Sequence, residues 1–238
     1  MSEPGTLYVC ATPIGNLEDA SPRLIRTLSE SQVVAAEDTR RVLKLLNHFG
    51  IKKPIVSYWK HREKQACEKL LQLLLDGESV ALVSDAGTPL VSDPGYELVK
   101  AALSKGVNVV HIPGPCAAIA ALVVSGLPTD SFVFEGFLPR KKSTRRKALE
   151  RLRDERRTVV LFEAPHRVLD TLKDIVELLG DPYLAVAREL TKVHEEVLRG
   201  KASEVLQRLG QQQVKGEITI VMSLVSKAWP ESPCNTDA

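Results

Sequence analysis

The run Ser84-Asp85-Ala86-Gly87-Thr88-Pro89-Leu90-Val91-Ser92-Asp93-Pro94-Gly95 follows an apolar stretch, Ser79 to Val83, and precedes a helical pattern beginning near Tyr96. This predicts a strand-to-helix loop built for a ligand. Gly87 and Gly95 permit positive φ or close approach of a bound molecule, while Pro89 and Pro94 stiffen a path of small polar side chains. An ordinary turn of this kind needs only roughly two to six residues. In open α/β sheets, small molecules bind beside such loops at the carboxyl ends of strands.

Other unusual residues also follow predicted strands, in Thr12 to Asp19, Glu37 to Arg40, Pro113 to Pro115, Glu163 to Arg167 and Arg188 to Lys192. With parallel strands these loops gather at one edge of each domain, and a cleft between two such edges is the natural ligand site. In Glu163-Ala164-Pro165-His166-Arg167 the cations fall in a first helical turn, where they oppose the helix dipole. Arg188-Glu189-Leu190-Thr191-Lys192-Val193-His194-Glu195-Glu196 fits either a salt-bridge ladder or the wall of a polar cleft.

A second concentration of chemistry is Arg140-Lys141-Lys142-Ser143-Thr144-Arg145-Arg146-Lys147. From Arg140 to Arg157 ten Lys or Arg face three acids, a local excess of seven positive charges in a chain whose formal total is +2. Two readings remain open: a solvated helix face, or contact with a phosphate backbone through Arg140, Lys141, Lys142, Arg145, Arg146 and Lys147. Phe137-Leu138-Pro139 just before it offers an ordered anchor.

Absences narrow the chemistry. No G-x-G-x-x-G follows the first strand, and neither a P-loop, an H-E-x-x-H pattern nor a G-x-S-x-G elbow exists. The four cysteines, Cys10, Cys67, Cys116 and Cys234, lack C-x-x-C spacing, so disulfide and metal readings are weak. At 238 residues, 44% hydrophobic and 26% charged, the chain suits two modest globular domains or one large one. Residues 1–22 hold no Lys or Arg, and the longest apolar run, Cys116 to Val124, is far too short to span a membrane. A cytoplasmic location is the expectation.

The elements that must position these groups alternate. Strands are predicted at Thr6 to Ala11, Gln32 to Ala36, Pro54 to Ser57, Ser79 to Val83 and Val107 to Ile112. Helices are predicted from Pro22 to Ser29, from about Asp38 to near Gly50, from Glu63 to Leu75 and from Tyr96 to Lys105. Continuous apolar strands alternating with helices imply a mainly parallel sheet covered on both faces. After Pro113-Gly114-Pro115 the pattern changes to helices Cys116 to Val124, Val168 to Leu179 and Ala202 to Leu209, with strands Ser131 to Phe137, Thr158 to Phe162, Tyr183 to Ala187, Glu195 to Arg199 and Glu217 to Val225. Short non-helical links there predict a mixed sheet. The expected division is residues 1–114, an N-terminal α/β domain, residues 115–226, a C-terminal mixed α/β domain, and residues 227–238, a flexible tail.

Thr12-Pro13-Ile14-Gly15-Asn16-Leu17, Ala36-Glu37-Asp38-Thr39-Arg40, Ser84 to Pro89 with Asp93-Pro94-Gly95, Pro113 to Ala118, Phe134-Glu135-Gly136-Phe137-Leu138-Pro139, Glu163 to Arg167 and Ala187 to Lys192 together resemble one family. It is the ribosomal RNA small subunit methyltransferase I family, a branch of the tetrapyrrole methylase superfamily. The resemblance covers roughly residues 5 to 225, in order. It implies a two-domain α/β enzyme that uses S-adenosylmethionine to 2′-O-methylate the ribose of a cytidine in the decoding region of small-subunit (16S) ribosomal RNA. It also implies a homodimer and a cofactor in the cleft between domains. Carried onto this chain, the cofactor contacts are Pro13, Ser84, Asp85, Ala86, Gly87, Thr88, Leu90, Pro113, Gly114, Cys116, Ala117, Phe162 and Ala187. Thr12 to Leu17 and Ser84 to Pro89 stand where relatives acting on tetrapyrroles carry glycine-rich loops, which points toward RNA.

Methyl transfer to a hydroxyl is an in-line displacement, so most of the catalysis is alignment. Some group must still take the hydroxyl proton or stabilise the alkoxide. Asp93, Glu163, His166, Arg188, Glu189 and Lys192 are the candidates, and no metal is required. Two alternatives are a small-molecule methyltransferase of the tetrapyrrole type and a non-catalytic RNA-binding protein of the ribosome. Naked RNA and the assembled 30S subunit both remain as substrates.

Overall fold

The computed structural model describes residues 3–58 and 63–225, and the tail expected at 227–238 lies outside them. Two compact units divide between Cys116 and Ala117. In the first, β1 (Thr6–Cys10), β2 (Val33–Ala36), β3 (Ile55–Ser57), β4 (Val80–Val83) and β5 (Asn108–Ile112) form one sheet in the order β3-β2-β4-β1-β5. Every pairing is parallel.

Strand alternation explains why both faces are covered. Val33 and Ala35 enter one apolar cluster with Val80, Leu82 and Leu7, while Val34 and Ala36 enter the other with Ala81, Val83 and Cys10. Helices α1 (Pro22–Glu30) and α2 (Thr39–His48) cover the second cluster through Leu24, Leu28, Val42, Leu45 and Leu46. Helices α3 (Glu63–Leu75) and α4 (Tyr96–Ser104) cover the first through Leu70, Leu74, Leu98 and Ala102. Caps set the starts: Ser21 accepts from the Leu24 amide at 3.0 Å with Pro22 at the first helical position, and Asp38 accepts from the Arg40 amide.

The second unit opens with α5 (Ala117–Val124) and carries β6 (Phe132–Phe137), β7 (Thr158–Glu163), β8 (Tyr183–Arg188), β9 (Glu196–Lys201) and β10 (Ile218–Ser223). Their order is β6-β7-β10-β8-β9. Only β6 and β7 pair in parallel; β10 runs antiparallel to both β7 and β8, and β9 antiparallel to β8. The sheet is mixed, as the short links require. Helices α6 (Lys142–Arg151), α7 (Val168–Leu179) and α8 (Ala202–Leu209) bury Leu149, Leu172, Ile175 and Val205 against Val159, Leu161, Leu184 and Ile220. Helix α5 packs on β7 and β10.

These directions fix where the loops fall. In the first sheet the segments after β1, β2, β4 and β5 share one edge. Because β10 opposes both β7 and β8, strands β6, β7 and β8 point the same way, and their following loops share one edge of the second sheet with the start of β10.

Candidate functional site

At the edge of the first sheet, loops far apart in sequence are tied by short bonds. The Thr12 amide donates to the Gly87 carbonyl at 2.8 Å and the Gly87 amide donates back at 3.1 Å, an isolated antiparallel bridge. Thr88 Oγ1 donates to the Pro115 carbonyl at 3.0 Å, and the Asp38 amide donates to Asp85 Oδ1 at 2.9 Å. The long loop is thereby fastened to the segments after β1, β2 and β5. Gly87 has φ +83°, and a Cβ there would sit 3.2 Å from Ile14 Cγ2 and 3.6 Å from the Pro115 carbonyl. Gly114 has the other steric need, since a Cβ would meet Ala11 Cβ at 3.1 Å. Leu90 and Ser92 also hold positive φ, 72° and 67°, which costs strain in non-glycine residues.

This edge encloses a pocket of about 150 Å³ lined by Thr12, Pro13, Leu17, Arg41, Ser84 and Asp85 among others. The Thr12 hydroxyl is buried there with no hydrogen-bond partner among the described residues. Ser84 and Thr88, both expected to contact a cofactor, donate their hydroxyls to main chain: Ser84 Oγ to the Gly87 carbonyl of its own loop at 3.3 Å, and Thr88 Oγ1 to Pro115 of the loop after β5. These bonds shape the loop, and Ser84 also lines the pocket. Asp85 keeps 29% of its side chain exposed, with Arg41 Nε at 3.6 Å. Burial, and the Asp85 carboxylate beside it, hold the Glu37 carboxyl above the ordinary range despite Arg41. The hydrogen bonds from Arg40 hold the half-buried Asp38 down to about 2.

At the edge of the second sheet, Glu163 is 2% exposed and accepts from Thr171 Oγ1 at 2.6 Å and from the Ala164 amide at 2.8 Å. Arg167 lies beside it, Nε to Oε1 at 3.1 Å, and reaches across to the Leu138 carbonyl at 2.8 Å. This accounts for the cation at a helix start: Arg167 fastens the loop after β6 to the loop after β7. Arg188 pairs with Glu196 at 2.8 Å, and Lys192 with Glu189 at 2.7 Å and Glu217 at 3.1 Å. Burial raises the Glu189 carboxyl, but the hydrogen bonds from Lys192 and from the Glu217 amide outweigh it and the net shift is downward. Burial likewise pulls Lys192 down, yet Glu189 and Glu217 win and hold it above the ordinary lysine range. A lysine so held does not take a proton near neutral pH. His166 is exposed in the loop after β7, and Asp93 is half-buried in the long loop of the first unit.

Two expectations are corrected here. Arg145, expected on RNA, is 4% exposed, with Nε 2.8 Å and Nη2 2.7 Å from Asp174 Oδ2 inside the second unit. Arg146 is committed to Asp174 at 2.9 Å and Glu177 at 2.6 Å. Arg145 is thereby enclosed, while Arg146 keeps 24% of its side chain exposed beside its two carboxylates. Arg140, Lys141, Lys142 and Lys147 are exposed. Glu163 is the second case, since its oxygens are occupied by Thr171, Ala164 and Arg167, and a carboxylate so occupied is a brace rather than a base.

Residues 6–206 match the family described as Tetrapyrrole (Corrin/Porphyrin) Methylases. A Ribosomal RNA small subunit methyltransferase I of Halalkalibacterium halodurans is 50% identical over 92% of this chain and 75% of its own. One of Thermotoga maritima is 48% identical over 92% of this chain and 98% of its own. The chain belongs to the ribosomal RNA small subunit methyltransferase I family. Among solved structures, diphthine synthase superposes with TM-score 0.71 at 16% identity, covering 92% of this chain and 89% of that one. A Thermus thermophilus uroporphyrin-III C-methyltransferase complexed with S-adenyl homocysteine gives 0.64 at 22% identity, covering 92% and 98%. At such identities the likeness shows the fold that this rRNA methyltransferase family shares with its neighbours.

Within that family frame, the sequence reading placed Thr12 and Glu37 in unusual loops without giving either a role, and passed over Arg41. Thr12, Glu37 and Arg41 act through partners more than 40 residues away, which no local pattern displays. Arg145 did carry a signal, since it precedes Leu149 and Leu152 on the apolar stripe of α6.

Proposed function

We propose that this protein transfers a methyl group from S-adenosylmethionine to the ribose 2′ oxygen of a cytidine in the decoding region of small-subunit ribosomal RNA. The observation that carries the reading is identity of 45–51% with relatives named for small-subunit ribosomal RNA methylation, over most of this chain's length. The same family membership supports a homodimer in the cytoplasm, acting on naked RNA or the 30S subunit.

The residues at the first edge fit such a cofactor. Gly87 and Gly114 let main chain approach closely, Asp85 keeps an exposed carboxylate that can take an amine or hydroxyl, and the buried Thr12 hydroxyl lacks a partner among the described residues. When bound, S-adenosylmethionine supplies an electrophilic methyl group. Pro13, Ser84, Asp85, Ala86, Gly87, Thr88, Leu90, Pro113, Gly114 and Cys116 are the proposed contacts at this edge. The bridge between Thr12 and Gly87 holds the binding loop before the ligand arrives, which favours alignment. In the second unit, Glu163 and Arg167 brace two loops, Arg188 and Lys192 are held by Glu196, Glu189 and Glu217 and can reach a phosphate or a developing alkoxide only by sharing those partners, and the imidazole of His166 can accept the hydroxyl proton. Calorimetry with S-adenosylmethionine, followed by labelled methyl transfer to small-subunit RNA, tests the reading. Binding without transfer to RNA would return a small-molecule substrate; absence of binding would leave a non-catalytic RNA-binding protein.

A further inference from the structure

We propose that Phe137 is a stacking platform for one unpaired base of the RNA strand, placed beside a phosphate track formed by Arg140 and Lys141; the inference rests on the RNA reading above and names how that strand is held.

A strand places residues of odd spacing on opposite faces, so Phe134 and Phe137 should point apart. They do not. The pairing of β6 with β7 slips by one residue between Phe134 and Gly136, so Phe134 lies opposite Val160 and Phe137 opposite Phe162. Val160 and Phe162 share a face. The bulge thus re-aims Phe137 onto the face of Phe134 and Phe162, a recognised use of bulges near functional sites. Phe162 meets Phe134 edge-on at 4.9 Å and Phe137 at 5.5 Å with a 59° tilt. Two of the three rings are partly covered. Phe137 remains 56% exposed, an apolar area that the fold turns outward and leaves wet.

What covers it is indicated by charge. Arg140 follows Phe137 by three residues, at most about 11 Å of chain. The link is fixed rather than loose, because Leu138 is buried and Arg167 Nη2 bonds the Leu138 carbonyl at 2.8 Å and the Pro139 carbonyl at 3.4 Å. Helix α6 then begins at Lys142, with Lys141 at the cap position giving no side-chain cap, and with no acid in the first turn. Exposed lysines at an uncapped N-terminus oppose the dipole, and an incoming phosphate reverses that penalty. An exposed aromatic ring held rigidly beside a cationic track matches the two-part chemistry of single-stranded nucleic acid: every base has a face to stack, and every linkage has a charge.

The test uses a short single-stranded fragment of small-subunit RNA with 2-aminopurine substituted at successive positions, bound to full-length protein. Wild type should quench the fluorophore at one position. Phe137→Leu keeps apolar bulk without the π face, and should weaken binding roughly 5- to 100-fold, remove that quench and leave the salt dependence unchanged. Phe137→Trp should restore both. Affinity for S-adenosylmethionine should be the same in all three proteins. Unchanged RNA affinity and quenching in Phe137→Leu overturn the inference while the RNA reading stands. So does an equal loss of cofactor affinity, which would give the ring to the cofactor, or a loss seen with 30S subunits but not with RNA, which would give it to a ribosomal protein. Failure of the wild type to bind either the RNA fragment or 30S subunits at low salt sinks the RNA reading and this inference together.

Discussion

Replacing Arg145 by Gln separates the internal part of the basic segment from its external part. Both Arg145 and Asp174 are almost wholly buried, with two contacts of 2.7 and 2.8 Å between them. Removing one partner of a buried pair strands the other charge and costs about 3–5 kcal/mol. Arg146 also reaches Asp174 at 2.9 Å and neutralises part of that stranded charge, which puts the loss near the lower figure. Against a typical domain stability of about 5–15 kcal/mol that is a large fraction. With a urea dependence of about 1–3 kcal/mol per molar, the midpoint followed by circular dichroism should fall by about 1–3 M. The salt dependence of RNA binding should not move. The triple change Arg140→Gln, Lys141→Gln and Lys147→Gln alters exposed groups only, so stability should hold within about 0.5 kcal/mol. Its log–log salt slope should drop by roughly 2–3 units, about 0.7–0.9 for each phosphate lost. An Arg145→Gln protein of normal stability whose salt slope flattens like the triple variant's would refute the reasoning.

Two further outcomes follow from the first edge. Gly87→Leu must place a side chain at φ +83° and 3.2 Å from Ile14, so it should pull apart the Thr12–Gly87 bridge, lose roughly 1–2 kcal/mol of stability or more and weaken S-adenosylmethionine binding, read by calorimetry on the folded variant; undiminished affinity would remove this loop from the cofactor site. Glu37→Gln should raise the melting temperature at neutral pH, because a carboxyl whose folded pKa lies above its unfolded value contributes stability below the unfolded value and loses it as pH rises through the folded one. The gain should vanish below the ordinary carboxylate range, and a gain that persists there would place its origin outside the ionisation of Glu37.

Much of this architecture was legible because strand and helix periods are local. Gln32 to Ala36 and Ser79 to Val83 read as strands, and the apolar residues of each prove to feed two clusters by alternation. The division of labour at the second edge was less legible. Glu163, Glu189 and Lys192 have the residue types of acid–base catalysis, and only their partners show them bracing loops. The bulge that turns Phe137 is invisible in sequence, because one extra residue in a strand leaves composition unchanged. Arg145 shows the opposite failure: counting charge hid a position on the apolar stripe of α6 that periodicity would have revealed.

The central claim, methylation of a ribose oxygen in small-subunit RNA, is tested most directly by alkaline digestion of that RNA after incubation with the protein and methyl-labelled S-adenosylmethionine. Alkali cleaves a linkage only through the neighbouring free 2′ hydroxyl. The account predicts that the label resides in an alkali-resistant dinucleotide whose 5′ residue is cytidine, formed only with active protein. Label found solely in mononucleotides would put the methyl on a base and contradict the account.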